Sequence, residues 1–355
     1  MIDYGVPPNK DEIEVTLFGP GYGEAIAIHL GGHSWVLVDS CIVPDTEASA
    51  SGEYLDKIGV TPNQVRRIVS SHWHDDHVRG ISQLADKYPD ADFILSNAFN
   101  SKEAHALLAA YNDESSAGLA RGTKELFNVI KSRENCSLAL HKSVIFEESI
   151  NEKLIKVKAL SPTSKACIHS TANFAQYLPN RGDAINNIPP LKPNLEAVAL
   201  HIDLDGESIL LGSDLEDHGE YGWTAIIKDN WSDTLRPASV YKVAHHGSES
   251  SDCIQIWNRL LEKRPVACLT PWNCGGRRLP TDSGKQKIVG RASETYIASV
   301  GSRKPKMNTV QLKRLKDIAN NVSVANTNFG AVRLRKKYGE NSWKSELFGA
   351  AQKLY

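Results

Sequence analysis

Three histidines and two aspartates stand within six consecutive residues of this 355-residue chain, in the stretch VSSHWHDDHVRG at positions 69–80. Imidazole nitrogens and carboxylate oxygens are ordinary zinc ligands, and a zinc site with open positions is catalytic rather than structural. A tight turn that leaves a strand can point His72 and His74 one way and Asp76 and His77 another, which predicts two adjacent metal positions. Two cations that share a water lower its pKa and polarise the bond that it attacks, so the predicted chemistry is metal-assisted hydrolysis.

The elements around this histidine cluster are predicted to hold it at the edge of a sheet. The preceding run, RRIVSSH, is short and apolar in its second half, which predicts a strand. The following run, VRGISQLADKY, has residues at helical spacing: Ile81, Leu84, Ala85 and Tyr88. The cluster is therefore predicted on a loop between the carboxyl end of a strand and a helix, where α/β proteins commonly place their chemistry.

Predicted strands and helices alternate in both halves of the chain. The first half has the strands EIEVTLFG, EAIAIHLGGHSWVLVDS and DADFILSN, and the helices SKEAHALLAAYN and TKELFNVIKSR. The second half has the strands LIKVKAL, EAVALHIDL, ESILLGS, PVACLTP and GAVRLRKK, and the helices IQIWNRLLEK and NTVQLKRLKDIANN. Two strand-rich halves with helices between them predict an α/β fold of two sheets covered by helices. One long irregular stretch, residues 162–193, is predicted to be a functional lid.

The composition is that of an ordinary globular protein. The chain is 41% hydrophobic and 23% charged, which is enough for a full core, and we expect a single domain over residues 1–355. No apolar run approaches the roughly 20 residues of a membrane span, and the N-terminal residues show no signal pattern. Six scattered cysteines without a CxxC pair indicate neither a zinc knuckle nor a disulfide framework, so a reducing, cytoplasmic compartment is expected.

Positive charge is concentrated in the last part of the chain. Residues 255–355 carry 20 Lys and Arg against 6 Asp and Glu, a local charge of +14. Because the net charge of the whole chain is −1, the first 254 residues carry a charge of −15. One explanation is a solvated basic face that balances an acidic remainder. The other is a groove for a polyanion, in which Arg277, Arg278 and Lys285 of the loop CGGRRLPTDSGK would contact phosphates.

The motif HWHDDH resembles the signature loop of the metallo-β-lactamase superfamily. That resemblance implies an αββα sandwich of two mixed sheets flanked by helices. In VLVDSC it implies that Asp39 orients the histidine loop without binding metal, and in SILLGSDLE that Asp214 is a carboxylate shared by two metals. In YKVAHHGSESS it implies that His245 is the last histidine ligand, with His246 as the alternative.

A narrower resemblance concerns the second half of the chain. PNLEAVALHIDLDGESILLGSDLED followed by VYKVAHHGSESS is similar to the hydrolase domain of ComEC-type competence proteins, which have a proposed role as phosphodiesterases or nucleases. We expect a stand-alone relative, without the membrane channel that accompanies that domain and without its role in DNA uptake. The cofactor implied is one or two zinc or manganese ions.

The predicted reaction uses a hydroxide shared by the metals as nucleophile and a nearby proton donor for the leaving oxygen. Asp76 is expected to take part in catalysis as well as in metal binding, and His246 and Ser248 are placed by sequence near the leaving group. Asp75 either supports the histidines or faces solvent.

One part of the superfamily pattern is missing. Most members supply a third histidine to the first metal, whereas the matching region here, KPNLEAVAL, contains none. The possible substitutes are His141, His169, Asn194 and Glu196.

Three functions remain open from the sequence. The first is a metal-dependent phosphodiesterase or nuclease, whose partner would be a nucleic acid or nucleotide. The second is a hydrolase of a small lactone, thioester or amide. The third is a non-catalytic metal-binding protein whose first metal site has become a surface for a protein partner.

Overall fold

Two large mixed sheets, each of eight strands within the described residues, make up most of the protein. The computed structural model describes residues 2–20, 22–111, 121–133, 136–179, 191–274, 276–299, 314 and 328–355. The strands are β1 (Glu12–Gly19), β2 (Ala25–His29), β3 (Trp35–Val38), β4 (Val65–Ser70), β5 (Asp92–Ser96), β6 (Cys136–Ala139), β7 (Val144–Ile150), β8 (Lys153–Ala159), β9 (Leu200–Asp203), β10 (Ser208–Leu211), β11 (Asp217–His218), β12 (Tyr221–Gly222), β13 (Ala238–Lys242), β14 (Leu261–Leu269), β15 (Trp272–Cys274), β16 (Arg277–Leu279), β17 (Glu294–Ile297), β18 (Gly330–Lys337), β19 (Lys344–Gly349) and β20 (Gln352–Lys353).

Helices connect these strands and cover the outer faces of the sheets. The α-helices are α1 (Ala50–Lys57), α2 (Asp75–Val78), α3 (Ile81–Lys87), α4 (Lys102–Tyr111), α5 (Arg121–Ser132), α6 (Ser164–Gln176), α7 (Trp223–Lys228) and α8 (Asp282–Arg291). A π-helical turn spans Ile256–Leu260. No helix among the described residues is both long enough and apolar enough to cross a membrane.

The parallel parts of the two sheets decide where chemistry can occur. The first sheet has the order β19-β18-β1-β2-β3-β4-β5-β6, and β3 to β6 are parallel. The second has the order β20-β17-β14-β13-β10-β9-β8-β7, and β10, β13, β14 and β17 are parallel. Parallel strands end at the same edge of a sheet, so the residues that follow β3 and β4, and those that follow β10, β13 and β14, are brought together.

Three hydrophobic clusters separate the layers. The central cluster contains side chains of both sheets, such as Val36 and Ile209, and therefore lies between them. A second cluster joins the first sheet to α1, α3, α4 and α5, and a third joins the second sheet to α7 and α8. Each fully buried Val, Leu or Ile contributes about 1.5–3 kcal/mol to folding. The predicted α/β fold of two mixed sheets with flanking helices is confirmed.

Two expectations about local structure were wrong. Residues 162–193 are not irregular throughout, since α6 begins after Thr163, whose side chain accepts a hydrogen bond from the Ala166 N–H at 3.2 Å. The buried face of α6, with Ala166, Ser170 and Phe174 four residues apart, is mostly small or polar, which hid the helix from a hydrophobic pattern. Residues 180–190 of that stretch lie outside the described residues.

The predicted helix IQIWNRLLEK is helical only over residues 254–260, of which Ile256–Leu260 form a π-helical turn, and its last three residues belong to β14. Leu261 takes an extended conformation because it pairs with Ala238 of β13, so sheet pairing overrides the helical spacing. The predicted helix NTVQLKRLKDIANN lies almost wholly outside the described residues.

Candidate metal centre

The histidine loop follows β4 directly, at the edge where β3 also ends. The chain leaves β4 at Ser70 and turns into the short helix α2 at Asp75, with the His77 N–H bonded to the His74 carbonyl at 2.9 Å. Beside it, Asp39 follows β3 with φ of +59°, a left-handed conformation that a non-glycine residue adopts only when its surroundings stabilise it. Its N–H donates to the Val69 carbonyl at 2.8 Å, which ties the two strand ends together.

Asp39 is buried and orients two imidazoles of the loop. One carboxylate oxygen accepts the Ser71 N–H at 2.7 Å, and the other lies 2.7 Å from Ser71 Oγ and 2.8 Å from His77 Nδ1. Because the Ser71 hydroxyl donates to Asp39, its oxygen can accept from His72 Nδ1 at 3.0 Å. Both imidazoles thus carry their proton on Nδ1 and turn Nε2 away from Asp39. The structure places Asp39 where the sequence put it, against the loop.

Two groups of three ligand atoms meet beside the loop. In each group the atoms lie within 4.8 Å of one another: His72, His74 and Asp214 form one group, and Asp76, His77 and His246 form the other. Asp214 connects them, since its Oδ2 lies 3.4 Å from the Nε2 atoms of both His77 and His246. A further grouping, of Asp39 with His72 and His77, is explained by the hydrogen bonds above.

The second sheet presents its ligands from the ends of β10 and β13. Asp214 follows β10, and the pair His245 and His246 follows β13. Both histidines have left-handed backbones, with φ of +46° and +53°. This costly conformation turns the adjacent imidazoles so that the Nε2 atoms of both approach Asp214 Oδ2, at 3.9 and 3.4 Å.

The neighbours of His245 orient its ring as well. Its Nδ1 lies 3.3 Å from Glu216 Oε1 and 3.2 Å from Ser250 Oγ, whereas its Nε2 is 3.2 Å from Asn194 Nδ2. Glu216 and Ser250 are functional neighbours that the sequence analysis missed. The hydroxyl of Ser248 caps the next turn by accepting the Ser250 N–H at 3.4 Å, and the Ser250 hydroxyl rather than the Ser248 hydroxyl contacts the His245 ring.

Three of the four proposed substitutes for the third histidine lie apart from both groups. The His141 ring lies between the Leu160 carbonyl, at 2.7 Å, and Asp229, at 3.3 Å. His169 packs on Tyr221 with ring centroids 5.1 Å apart.

Glu196 is likewise part of the protein interior rather than of the ligand groups. It accepts the Trp73 indole N–H at 2.6 Å, and burial raises its pKa to about 7. Of the four substitutes, only Asn194 lies next to a member of the site.

The buried polar atoms of these groups fit a metal ion. Among the described residues His77 Nε2, His246 Nε2 and Asp214 Oδ1 are buried and have no hydrogen-bond partner. Such orphaned atoms are rare in native structures and need an explanation, and a bound cation supplies one. Burial alone would lower the pKa of His246, but Asp214 and Asp76 raise it to about 9. The groups therefore offer nitrogen and carboxylate ligands in the proportions that zinc and manganese accept.

A cleft opens beside this centre. It holds about 1050 Å³ of empty space and is lined by Tyr22, Asp75, Asp76, Arg79 and Arg121, among others. Arg79 and Arg121 are exposed, and Arg121 lies 3.3 Å from Glu125. Asp75 is half-buried and accepts the Gly122 N–H at 2.7 Å. It therefore connects the histidine loop to the first turn of α5 rather than to a histidine.

The basic C-terminal part is mostly neutralised in the fold. Most of its described lysines and arginines form ion pairs, for example Arg335 with Glu14 at 2.6 Å and Arg291 with Asp252 at 2.5 Å. Lys285 lies 3.8 Å from Asp282, and both side chains are exposed.

The two arginines of β16, like Lys263 and Arg264 in β14, are not neutralised in this way within the described part of the chain. Arg277 and Arg278 are exposed and have no ion pair among the described residues. Their hairpin, β15–β16, stands next to the cleft, since Trp272 lies 6.3 Å from Tyr22. The basic loop GSRKPK lies outside the described residues.

A comparison with known proteins finds a family model that matches part of this chain. The model of the metallo-beta-lactamase superfamily matches residues 18–117, a segment that contains Asp39 and the whole histidine loop. This segment of the chain is therefore similar to the metallo-β-lactamase superfamily. A comparison with curated proteins found no significant match.

Several solved metallo-β-lactamase structures are similar to the chain. The fold protein YhfI from Bacillus subtilis has 12% identity and a TM-score of 0.44, over 82% of this chain and 98% of that one. The lactamase SMB-1 has 11% identity and a TM-score of 0.37, over 72% and 88%. MEM-A1, a subclass B3 enzyme from a soil metagenome library, has 13% identity and a TM-score of 0.34, over 69% and 83%. Likenesses of this size do not bear on the substrate of this protein.

Proposed function

We propose that this protein, which resembles the metallo-β-lactamase superfamily, is a dinuclear metal-dependent hydrolase that cleaves phosphodiester bonds, as a phosphodiesterase or nuclease. The observation that carries the proposal is the convergence of unpartnered, buried ligand atoms on Asp214 from both sheets. When bound, two zinc or manganese ions would supply Lewis acidity and a water of lowered pKa. The residues proposed to hold the two ions are His72, His74 and His245 for the first, Asp76, His77 and His246 for the second, and Asp214 for both.

The assignment of His245 to the first ion replaces the histidine that this chain lacks. Its Nδ1 faces Glu216, so the proton lies on Nδ1 and the Nε2 lone pair can accept a hydrogen bond or bind an ion; that atom lies 3.9 Å from Asp214 Oδ2. Asn194 contacts the same Nε2 at 3.2 Å and is proposed to position His245 rather than to bind metal. His246 is assigned to the second ion, and not to proton transfer, because its Nε2 lies between Asp76 and Asp214 at 3.6 and 3.4 Å.

The phosphodiester substrate is proposed from the arginines in and beside the cleft and from the resemblance to ComEC-type hydrolase domains. Arg79 and Arg121 line the cleft beside Asp76, and Arg277 and Arg278 stand on the hairpin next to it. Guanidinium groups bind phosphate oxygens in a bidentate fashion, which suits them to hold a nucleic acid or nucleotide. The motif HHGS at residues 245–248 carries the resemblance.

The test is a substrate panel with controlled metal content. Purified protein is stripped with chelator, reloaded with zinc or manganese, and offered single-stranded DNA, duplex DNA, RNA, a cyclic dinucleotide, a lactone, a thioester and a β-lactam. We expect cleavage of at least one phosphodiester that chelator abolishes and added metal restores. Hydrolysis of only the lactone, thioester or β-lactam would replace the proposal with a small-molecule hydrolase, and metal binding without any hydrolysis would favour a non-catalytic protein.

A further inference from the structure

A buried ion pair stands behind the second group of ligands. Lys242, the last residue of β13, lies 2.6 Å from the carboxylate of Glu24, which precedes β2 in the other sheet. The two residues are 2% and 1% exposed. A buried pair of charges rarely stabilises a fold more than apolar residues of the same size would, because both ions lose their hydration. Its place next to the metal centre points to a role there.

A hydrogen-bonded chain runs from this pair to His246. Thr270, which follows β14, donates its hydroxyl proton to Glu24 Oε2 at 2.6 Å. A threonine hydroxyl has one proton, so the oxygen that donates to Glu24 can only accept from His246 Nδ1, 2.8 Å away. His246 therefore carries a proton on Nδ1, and its Nε2 faces Asp76 and Asp214.

Lys242 also contacts the shared carboxylate and its strand end. Its ammonium group donates to the Ser213 carbonyl at 3.1 Å and lies 3.9 Å from Asp214 Oδ1, an atom without a hydrogen-bond partner among the described residues. The same lysine thus holds the residue before Asp214 and the carboxylate that positions Thr270. One buried unit connects both ligands that the second sheet supplies to the second group.

We propose that Glu24, Lys242 and Thr270 form a positioning unit that keeps the proton of His246 on Nδ1 and presents Nε2 to the second metal ion. This inference rests on the proposed dinuclear centre and adds residues that the histidine loop does not contain. The unit is the counterpart of Asp39, which orients His77 directly and His72 through a hydroxyl. Groups that orient a metal-bound histidine typically change metal affinity by about 10- to 100-fold when they are removed.

The test removes one hydroxyl without changing shape. In Thr270→Val a methyl group replaces Oγ1, so His246 loses the nearer acceptor of its Nδ1 proton, at 2.8 Å, and keeps only the Thr270 carbonyl, at 3.3 Å. Thr270→Ser keeps the hydroxyl and should restore binding. The matched control is Thr295→Val in β17 of the same sheet, since the Thr295 hydroxyl is buried and has no hydrogen-bond partner among the described residues.

The readouts are calorimetric titration of metal-free protein with zinc and the visible spectrum of the cobalt-loaded protein. We expect Thr270→Val to lower the affinity for the second ion by about 10- to 100-fold and to change the affinity for the first ion by less than about threefold. The cobalt absorption bands of one site only should change. Thr270→Ser and Thr295→Val should resemble the unsubstituted protein. Equal affinities for both ions in Thr270→Val and Thr295→Val would overturn the positioning unit while leaving the dinuclear centre intact. Failure of the unsubstituted protein to bind any metal would overturn both.

Discussion

The two sides of the metal centre are built in different ways. On the first sheet, four ligands lie within six consecutive residues, and Asp39 from the neighbouring strand end contacts that loop directly. On the second sheet, Asp214 follows β10 and the histidine pair follows β13. The group that orients His246 comes from β14 and from a residue near the N-terminus, since Thr270 and Glu24 are 246 positions apart in the chain.

This difference separates local from long-range control of metal ligands. The loop ligands are held at their spacing by a short turn, so their mutual geometry depends on few other residues. The ligands of the second sheet meet only because β10, β13 and β14 are parallel and in register, with Leu211 opposite Lys242 and Lys242 opposite Cys268. We therefore expect a substitution on one side to lower the affinity for one metal ion more than for the other. A substitution of Asp214 should lower both affinities alike.

Replacement of Asp214 should have the largest effect. Its Oδ2 approaches ligands of both groups, so Asp214→Ala should lower the affinity for both ions by more than about 100-fold. That factor is the largest usually seen when a group that only orients a ligand is removed. Elemental analysis after gel filtration measures the bound metal. The control is Asp203→Ala, which removes a half-exposed carboxylate from β9 of the same sheet, near Lys158 at 3.7 Å. Retention of both ions by Asp214→Ala would show that the two groups do not share this carboxylate.

Asp39→Asn should lower the affinity for both ions by a smaller factor, about 10- to 100-fold. In one orientation the amide nitrogen replaces the oxygen that accepts from His77 Nδ1 and Ser71 Oγ, and both bonds are lost; in the other it faces the Ser71 N–H, and that bond is lost. This breadth contrasts with Thr270→Val, which concerns one imidazole. Zinc titration measures the affinities, and Asp75→Asn serves as the control because the Asp75 carboxylate accepts a backbone N–H of α5. Equal losses in the two variants would remove the special role of Asp39.

The connection between the two sides at Glu196 should make stability depend on pH. Glu196, from the second half, accepts the indole N–H of Trp73 in the histidine loop, and burial raises its pKa from 4.5 to about 7. In the unfolded chain the carboxyl ionises near its ordinary pKa, so its contribution is present below about pH 4.5 and is lost as pH rises through about 7. We expect the free energy of unfolding to fall by about 1 kcal/mol per pH unit between about pH 5 and 7 from this group.

Urea unfolding of metal-free protein at several pH values measures this slope. Glu196→Gln keeps an acceptor for Trp73 but cannot ionise, so its slope should be shallower by that amount. A slope unchanged by the substitution would mean that Glu196 ionises normally inside the protein.

The smallest expected effect concerns the hairpin beyond β14. The double variant Arg277→Ala, Arg278→Ala should weaken nucleic-acid binding and reduce the salt dependence of log affinity by about 2, one per lost phosphate contact, without changing metal content. Binding measured at two or more salt concentrations gives this slope. The control, Lys337→Ala with Lys344→Ala, removes two exposed charges that already pair with Asp11 and Glu340. Identical slopes in both double variants would make the hairpin arginines an ordinary solvated face.

Local patterns were enough for the parts of the centre that are local. The histidine loop was named from its own residues, and Asp39 and Asp214 from the resemblance of short motifs to the superfamily. Asp39 meets the loop because β3 and β4 are parallel neighbours, and Asp214 meets it because the second sheet packs against the first. Helix α6 escaped because its buried residues are mostly small or polar, so no apolar stripe marks it. The end of the helical turn before β14 was missed for another reason. Leu261 pairs with Ala238 of β13, and this sheet pairing outweighs the helical spacing around it.

The sequence by itself determined the layered fold and predicted the histidine loop as a set of metal ligands, because each of these depends on residues that are close in the chain. Only the tertiary structure decided that His246 faces Asp76 while His245 faces Glu216, since left-handed backbone angles at two adjacent residues set those directions. It alone also joined Glu24 to Thr270. A buried glutamate and a threonine hundreds of residues apart carry no shared pattern, and they become one unit only when the two sheets pack face to face.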